Sequence, residues 1–197
     1  RRIRVGTGRT NLVATPVFDT YWRFAHERQQ VFHRRAAGLA APWTEDPVIA
    51  AYRFTNAYRA SDRVSQYLIR NVIYDGDADP SEVFFRTILF KIFNRIETWE
   101  HLAARLGQIS WRDYSRTRFE SALDELFGGK QRVYSAAYIM PSPPFGETRK
   151  HANHLRLLEA MMGDDAPKRV QDASSLRGVY ETLLGYPSMG PFLAFQF

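Results

Sequence analysis

Apolar positions recur at three- and four-residue intervals from residue 16 onward, and no stretch alternates strictly between apolar and polar. Val17, Tyr21, Phe24, Arg28 and Val31 keep helical spacing, which predicts a helix over 16–36. Pro16 suits its first turn and Gly38 its end. Thr44 or Asp46 can cap a following helix ahead of Pro47. Over 47–74 the pattern predicts one long helix, or two stacked ones, carrying two stripes. Phe54, Ala57, Ser61, Val64, Leu68 and Val72 form the apolar stripe. Asn56, Arg59, Arg63, Gln66 and Arg70 lie nearly opposite.

Asp75-Gly76-Asp77-Ala78-Asp79-Pro80 reads as a turn, without the spacing or closing Glu of a calcium loop. The helix predicted over 81–97 is apolar on most sides, so it belongs at the centre of the core. Its polar exceptions are Thr87, Lys91 and Asn94. A polar stripe on a buried helix needs partners or a cavity, which makes Asn94 a pocket candidate, with Trp99 close behind. Further helices are predicted over 112–127, 147–162, 166–172 and 175–185, with Leu155, Leu158, Met161 and Met162 facing inward. Tyr134 to Met140 reads as extended or weakly helical, and 141–146 as a rigid loop. The class expected is all-α, a helical domain over 16–197 behind a basic arm or short strand over 1–15 that holds Gly6 and Gly8.

Charge changes the picture. The chain of 197 residues has a formal net charge of +6. Residues 1–35 hold eight Arg against Asp19 and Glu27, so the whole excess is N-terminal. A polyanion partner accounts for that, and so does a solvated tail and helix face. Aromatic residues reach 14%, several beside Arg or Asn, as in Tyr21-Trp22-Arg23-Phe24 and Tyr52-Arg53-Phe54. Such interleaving suits stacking on unpaired bases, although most rings belong in a core. Cysteine is absent, which excludes disulfides, thiolate nucleophiles and Cys-based metal sites. No apolar run reaches the length of a membrane span, no signal-peptide pattern opens the chain, and the expected location is cytoplasmic.

Few motifs carry chemistry. Gly128-Gly129-Lys130 lacks the upstream Gly spacing and the Ser/Thr of a P-loop. His151 and His154, three apart on a helix, read as a solvated or phosphate-facing pair, and no metal or other cofactor is expected. Leu183-Leu184-Gly185-Tyr186-Pro187-Ser188-Met189-Gly190-Pro191-Phe192-Leu193-Ala194 looks like a helix–hairpin–helix turn. Many DNA glycosylases read Leu-Pro-x-x-Gly-x-x-x-Ala there. Pro187, Gly190 and Ala194 match, and Tyr186 replaces the Leu. Backbone amides at such a turn hold a phosphate without reading sequence.

A resemblance goes further. Tyr-Trp-Arg-Phe-Ala-His-Glu-Arg-Gln (21–29), Arg-Phe-Thr-Asn-Ala-Tyr-Arg-Ala-Ser-Asp-Arg-Val-Ser-Gln-Tyr-Leu (53–68), Phe-Asn-Arg-Ile-Glu-Thr-Trp (93–99) and Arg-Lys-His-Ala-Asn-His-Leu (149–155) are long and distinctive. They resemble the helical family of α-glutamyl/putrescinyl-thymine pyrophosphorylases, which includes the helical domain of 5-hydroxymethyluracil DNA kinases and antiviral DNA glycosylases. The resemblance implies a helix–hairpin–helix glycosylase-like fold and double-stranded DNA with modified bases as partner. Two departures stand out. Phe192 replaces the Lys that a strand-cleaving hairpin carries, and the chain stops at Phe197, before the place of a glycosylase Asp. The domain, and the main acid with it, is therefore expected to continue beyond Phe197.

The leading expectation is a monofunctional glycosylase excising a modified pyrimidine, glycosylated or not, from phage DNA in antiviral defence, with the base flipped into a pocket. The alternative is a transferase that displaces pyrophosphate from activated 5-hydroxymethyluracil in DNA with an amino acid or polyamine. A third is a non-catalytic helical DNA-binding module. Arg53, Asn56, Arg59, Arg63, Asn94 and Trp99 are the expected base pocket, and Asp62, beside three Arg, the expected acid in view. Arg149, Lys150, His151, His154 and Tyr186, Pro187, Ser188, Met189, Gly190 are the expected DNA contacts.

Overall fold

A computed structural model of the chain describes residues 2–4, 11–137 and 139–197. Gly6 and Gly8 of the expected arm, and Tyr138 of the 134–140 stretch, lie outside them. The fold is all-α in class, with ten α-helices among the described residues. A single short antiparallel pair precedes them, β1 (Arg2–Arg4) against β2 (Asn11–Val13), with Arg2 opposite Val13. The chain forms two compact units, Arg1–Gln66 and Tyr67–Phe197.

In the first unit α1 covers Pro16–Ala36, with Pro16 in its first turn. His33, Arg34 and Arg35 fill its last turn, where cations offset the negative end of the helix dipole. Gly38 then takes φ +73, a left-handed turn that Gly adopts without strain. The short helix α2 covers Pro47–Ala51 and is capped as expected. The Asp46 carboxylate accepts from the N–H groups of Val48 and Ile49, at 2.9 and 3.0 Å.

Over 47–74, where one long helix or two stacked ones are expected, no long helix forms, and two short helices stand at the ends of an irregular stretch. After α2 the chain runs irregularly to a 3-10 turn at Arg59–Ser61, then α3 (Arg63–Leu68), then a π-helical turn at Ile69–Ile73. Polar side chains explain the break. Asn56 donates its amide to the Ser61 carbonyl, and Gln66 donates to the Ala60 carbonyl at 2.6 Å. Asp62 accepts from the backbone N–H groups of Val64 (2.8 Å) and Ser65 (3.1 Å). Such side chains compete with the helix for backbone groups. Asp62 caps α3, so a helix starts after it and none runs through it. The polar face shared by Asn56, Arg59, Arg63, Gln66 and Arg70 disappears with the long helix.

The second unit is built on α4 (Pro80–Phe93), whose N-cap Asp79 accepts from Ser81 N–H at 2.9 Å. Phe85, Ile88, Leu89, Phe90, Ile92 and Phe93 of α4 are buried. Each such side chain contributes roughly 1.5–3 kcal/mol by leaving water. α4 packs against the π-helical turn, α7 (Lys150–Gly163) and α8 (Ala166–Gln171). α5 (Ile96–Leu106) packs on α6 (Arg116–Gly128), and α6 on α7. α8 packs on α9 (Leu176–Leu184), and α9 on α10 (Pro191–Gln196).

Two buried charges on α4 are satisfied from outside the helix. Glu82 accepts from the N–H groups of Trp111 (2.7 Å) and Arg112 (3.1 Å). Arg86 donates to the carbonyls of Val72 (2.9 Å) and Asp77 (2.8 Å). Gly76 has φ +103, and a Cβ there would stand 3.4 Å from the Arg86 guanidinium carbon. The acidic turn of 75–80 is therefore folded around Arg86. The helix expected over 81–97 stops at Phe93 because Asn94 adopts the left-handed conformation, φ +48.

Candidate nucleic-acid interface

The start of α7 carries two adjacent cations, Arg149 and Lys150, with Asp124 3.7 Å from the Arg149 guanidinium. Asn153 sets its approach: its carbonyl oxygen accepts from Glu147 N–H (3.1 Å), and its amide donates to the carbonyls of Glu147 (2.8 Å) and Arg149 (3.2 Å). Arg149 and Lys150 are left exposed beside a cleft of about 490 Å³ that Phe127, Arg132 and Tyr134 also line. The Arg149 guanidinium lies 4.5 Å from the centre of the Phe127 ring, and the Lys150 ammonium 4.4 Å from that of Tyr134. Both are cation–π distances. Partial burial lowers the Lys150 pKa from its ordinary value.

Behind these cations stand the two histidines, and both correct the expected solvated pair. His151 and His154 are 3% and 0% exposed. His154 Nε2 lies 3.0 Å from the Pro141 carbonyl, which can only accept, so Nε2 carries the proton. Nδ1 then accepts from the Tyr134 hydroxyl at 2.7 Å. Burial holds the His154 pKa down at about 4, and the Tyr134 hydroxyl is pushed up for the same reason. His151 Nε2 donates to Asp124 at 3.0 Å; burial lowers its pKa, with Asp124 pulling the other way. His154 holds the Tyr134 ring and the Pro141 end of the 141–146 loop, His151 ties α7 to Asp124 of α6, and His154 lies away from any surface phosphate.

The loop leads to the turn between α9 and α10. Ser188, at φ +63, donates its hydroxyl to the Ser142 carbonyl at 3.4 Å. The amide of Met189, one of those expected to hold phosphate, is already donated to the Tyr186 carbonyl at 3.1 Å, and its side chain is buried. The Tyr186 hydroxyl donates to Asp164 at 3.0 Å. Pro187 and Gly190 are exposed.

The expected base pocket is dispersed. Arg53 and Asn56 line one groove of the first unit with Arg28 and Arg35, about 650 Å³ in volume. Arg59 and Arg63 are exposed and do not line it. Asp62 is occupied as a helix cap, with the Ser65 hydroxyl also donating to it at 2.9 Å. No ion pair joins it to an Arg among the described residues. Asn94 ends α4, and Trp99 packs its ring against Phe90 at 6.0 Å, 7% exposed. Both belong to the core of the second unit.

Phe127, Arg132 and Tyr134 escaped the sequence reading. They sit at a helix end and in an irregular stretch, where no period marks them. Their signal is indirect: Phe127 precedes the stop at Gly128-Gly129, and its ring is exposed. No group of three or more His, Asp or Glu could hold a metal ion among the described residues. No helix of those residues is long and apolar enough to cross a membrane.

Fold and surface thus define a protein of the all-α class with basic, ring-lined clefts. The chain belongs to the family described as "5-hmdU DNA kinase, helical domain", which residues 15–197 match. It is 26% identical over 193 residues to a "5-hmdU DNA kinase" of Bacillus phage SP10. That similarity takes in 91% of this chain and 30% of the relative, so the chain spans under a third of the relative's length. No solved structure matches it.

Proposed function

We propose that this chain is a DNA-holding helical domain that serves modification of 5-hydroxymethylated pyrimidines, rather than their excision. The observation that carries the reading is the cleft at the start of α7. Arg149, Lys150 and Arg132 present cations there beside the Phe127 and Tyr134 rings, and the first two lie within the stretch 149–155 that also carries the family resemblance. Cations on a rigid helix end position a phosphate backbone without reading sequence. The relative's name supports chemistry at the 5-hydroxymethyl group. The alternative of group transfer fits that chemistry better than base release does. In such a step an amine nitrogen bonds to the 5-methylene carbon, the carbon–oxygen bond to pyrophosphate breaks, and the amine proton passes to solvent.

The test uses matched duplexes carrying thymine or 5-hydroxymethyluracil. The chain should bind both, with affinity falling steeply as salt rises. Arg149→Ala with Lys150→Ala should weaken both alike. Incubation should yield no abasic sites. Abasic sites in the 5-hydroxymethyluracil duplex would restore excision, and absence of DNA binding would overturn the whole reading.

A further inference from the structure

The first unit holds a second basic groove, chemically unlike the α7 cleft. Arg28, Arg35 and Arg53 line it, with the Trp43, Tyr52 and Phe54 rings, and no Asp or Glu does. The Arg28 guanidinium lies 5.0 Å from the centre of the Phe24 ring and 5.7 Å from that of Phe54, and donates to the Thr55 hydroxyl at 3.2 Å. Its Nε is shut off from solvent and has no hydrogen-bond partner among the described residues. The Arg35 guanidinium lies 5.0 Å from the Trp43 ring. None of these three Arg forms an ion pair among the described residues. Tyr52 and Phe54 are 68% and 43% exposed, and Arg53 between them is exposed.

Ordinary surface arginines sit near carboxylates. Two that lie over rings, and Arg53 lining the same groove, with no acid among its lining residues, leave their charge uncompensated where aromatic faces meet solvent. A protein segment would have to supply a carboxylate for each guanidinium and an aromatic ring for each exposed ring in the same short span. A duplex hides its base faces. An unpaired strand offers both at once, a phosphate for each guanidinium fork and a base for each ring. The volume, about 650 Å³, is that of a pocket for a small ligand, such as a nucleotide or two. We infer that this groove binds single-stranded DNA, one or two unpaired nucleotides at a time. The inference stands on the first unit alone and does not rest on the α7 cleft.

The experiment is fluorescence anisotropy of a short labelled oligothymidylate, beside a labelled hairpin that pairs the same thymidylate tract with adenylate and a labelled polyglutamate. The chain should bind the single strand more tightly than polyglutamate, and its tryptophan emission should quench. Arg35→Gln with Arg53→Gln should weaken the single strand by about tenfold or more. Arg149→Ala with Lys150→Ala should weaken the duplex and largely spare the single strand. Trp43→Phe should remove most of the quench while the circular dichroism stays unchanged. Arg53→Gln alone, at an exposed position, keeps the test valid if the double variant misfolds, and should still weaken the single strand. Equal affinity of the parent and Arg53→Gln for the single strand would overturn the proposal. So would tighter binding of polyglutamate, or loss of the single strand only when Arg149 and Lys150 are changed.

Discussion

The two units spend the same residue types in opposite ways. In Arg1–Gln66 only Thr44 and Ile49 are buried among the described residues, and α1 has no buried residue at all. Tyr21, Trp22, Tyr52, Phe54 and Tyr58 are exposed there. In Tyr67–Phe197 the rings of Phe85, Phe90, Phe93, Trp99 and Phe119 are buried. Phe85 alone meets Trp111, Tyr114 and Phe119 at 5.5, 5.5 and 6.3 Å. The difference follows from neighbours in sequence. Rings set among Ile and Leu close a core; rings alternating with Arg, as in Tyr52-Arg53-Phe54, keep their cations in water and stay on the surface. The same residue types therefore close a core in one unit and lie at the surface in the other.

The contrast breaks most directly with core truncations. Phe85→Ala or Leu158→Ala should cost about 3–5 kcal/mol in urea unfolding, because both side chains are 0% exposed. Tyr21→Ala on α1 should change it by less than about 0.5 kcal/mol, since that ring is 60% exposed. A large loss at Tyr21 would mean that the first unit has a core of its own.

Acid should act next, and on the second unit. His154 has its folded pKa depressed to about 4 from 6.5. The unfolded chain therefore binds more protons between those values, and stability falls as pH drops through that window. The loss should be on the order of 3 kcal/mol by pH 4. His154→Gln should flatten the slope in a pH series of unfolding midpoints. His151, depressed in the same direction, should leave a smaller residual slope.

Capping sharpens the comparison at lower energy. Asp62→Ala and Asp79→Ala remove the same kind of bond and should each cost about 1 kcal/mol. Hydrogen exchange should show the two losses differently. At Asp79 the change should raise exchange across α4, which is bound to the core; at Asp62 it should stay local to Val64 and Ser65. Spread of the Asp62 effect into α4 would contradict the account.

Much of the fold was legible in the residues themselves. α1, α6 and α7 follow their apolar spacing, and Asp46 caps where its place before Pro47 says it should. The stretch 47–74 misled because helical spacing continues through Asn56, Asp62 and Gln66, while those side chains bind backbone instead. Spacing cannot register that competition. The histidine pair misled for a different reason. Three residues apart places both on one helix, but the partners that cover them, α6 for His151 and Tyr134 with the 141–146 loop for His154, arrive from elsewhere in the chain. The candidate site was half legible: Arg149 and Lys150 fall in the stretch 149–155 that carries the resemblance, whereas Phe127 closes a helix and Tyr134 lies in a stretch without period.

The central claim is that the α7 cleft holds DNA phosphates. The measurement that tests it most directly is the salt dependence of duplex binding, compared between the parent and Arg149→Ala with Lys150→Ala. Each phosphate contact contributes about 0.9 to the slope of log affinity against log salt. The double variant should bind more weakly at every sequence, with a slope shallower by roughly 1.8. An unchanged slope and affinity would place the DNA contact elsewhere and contradict the account.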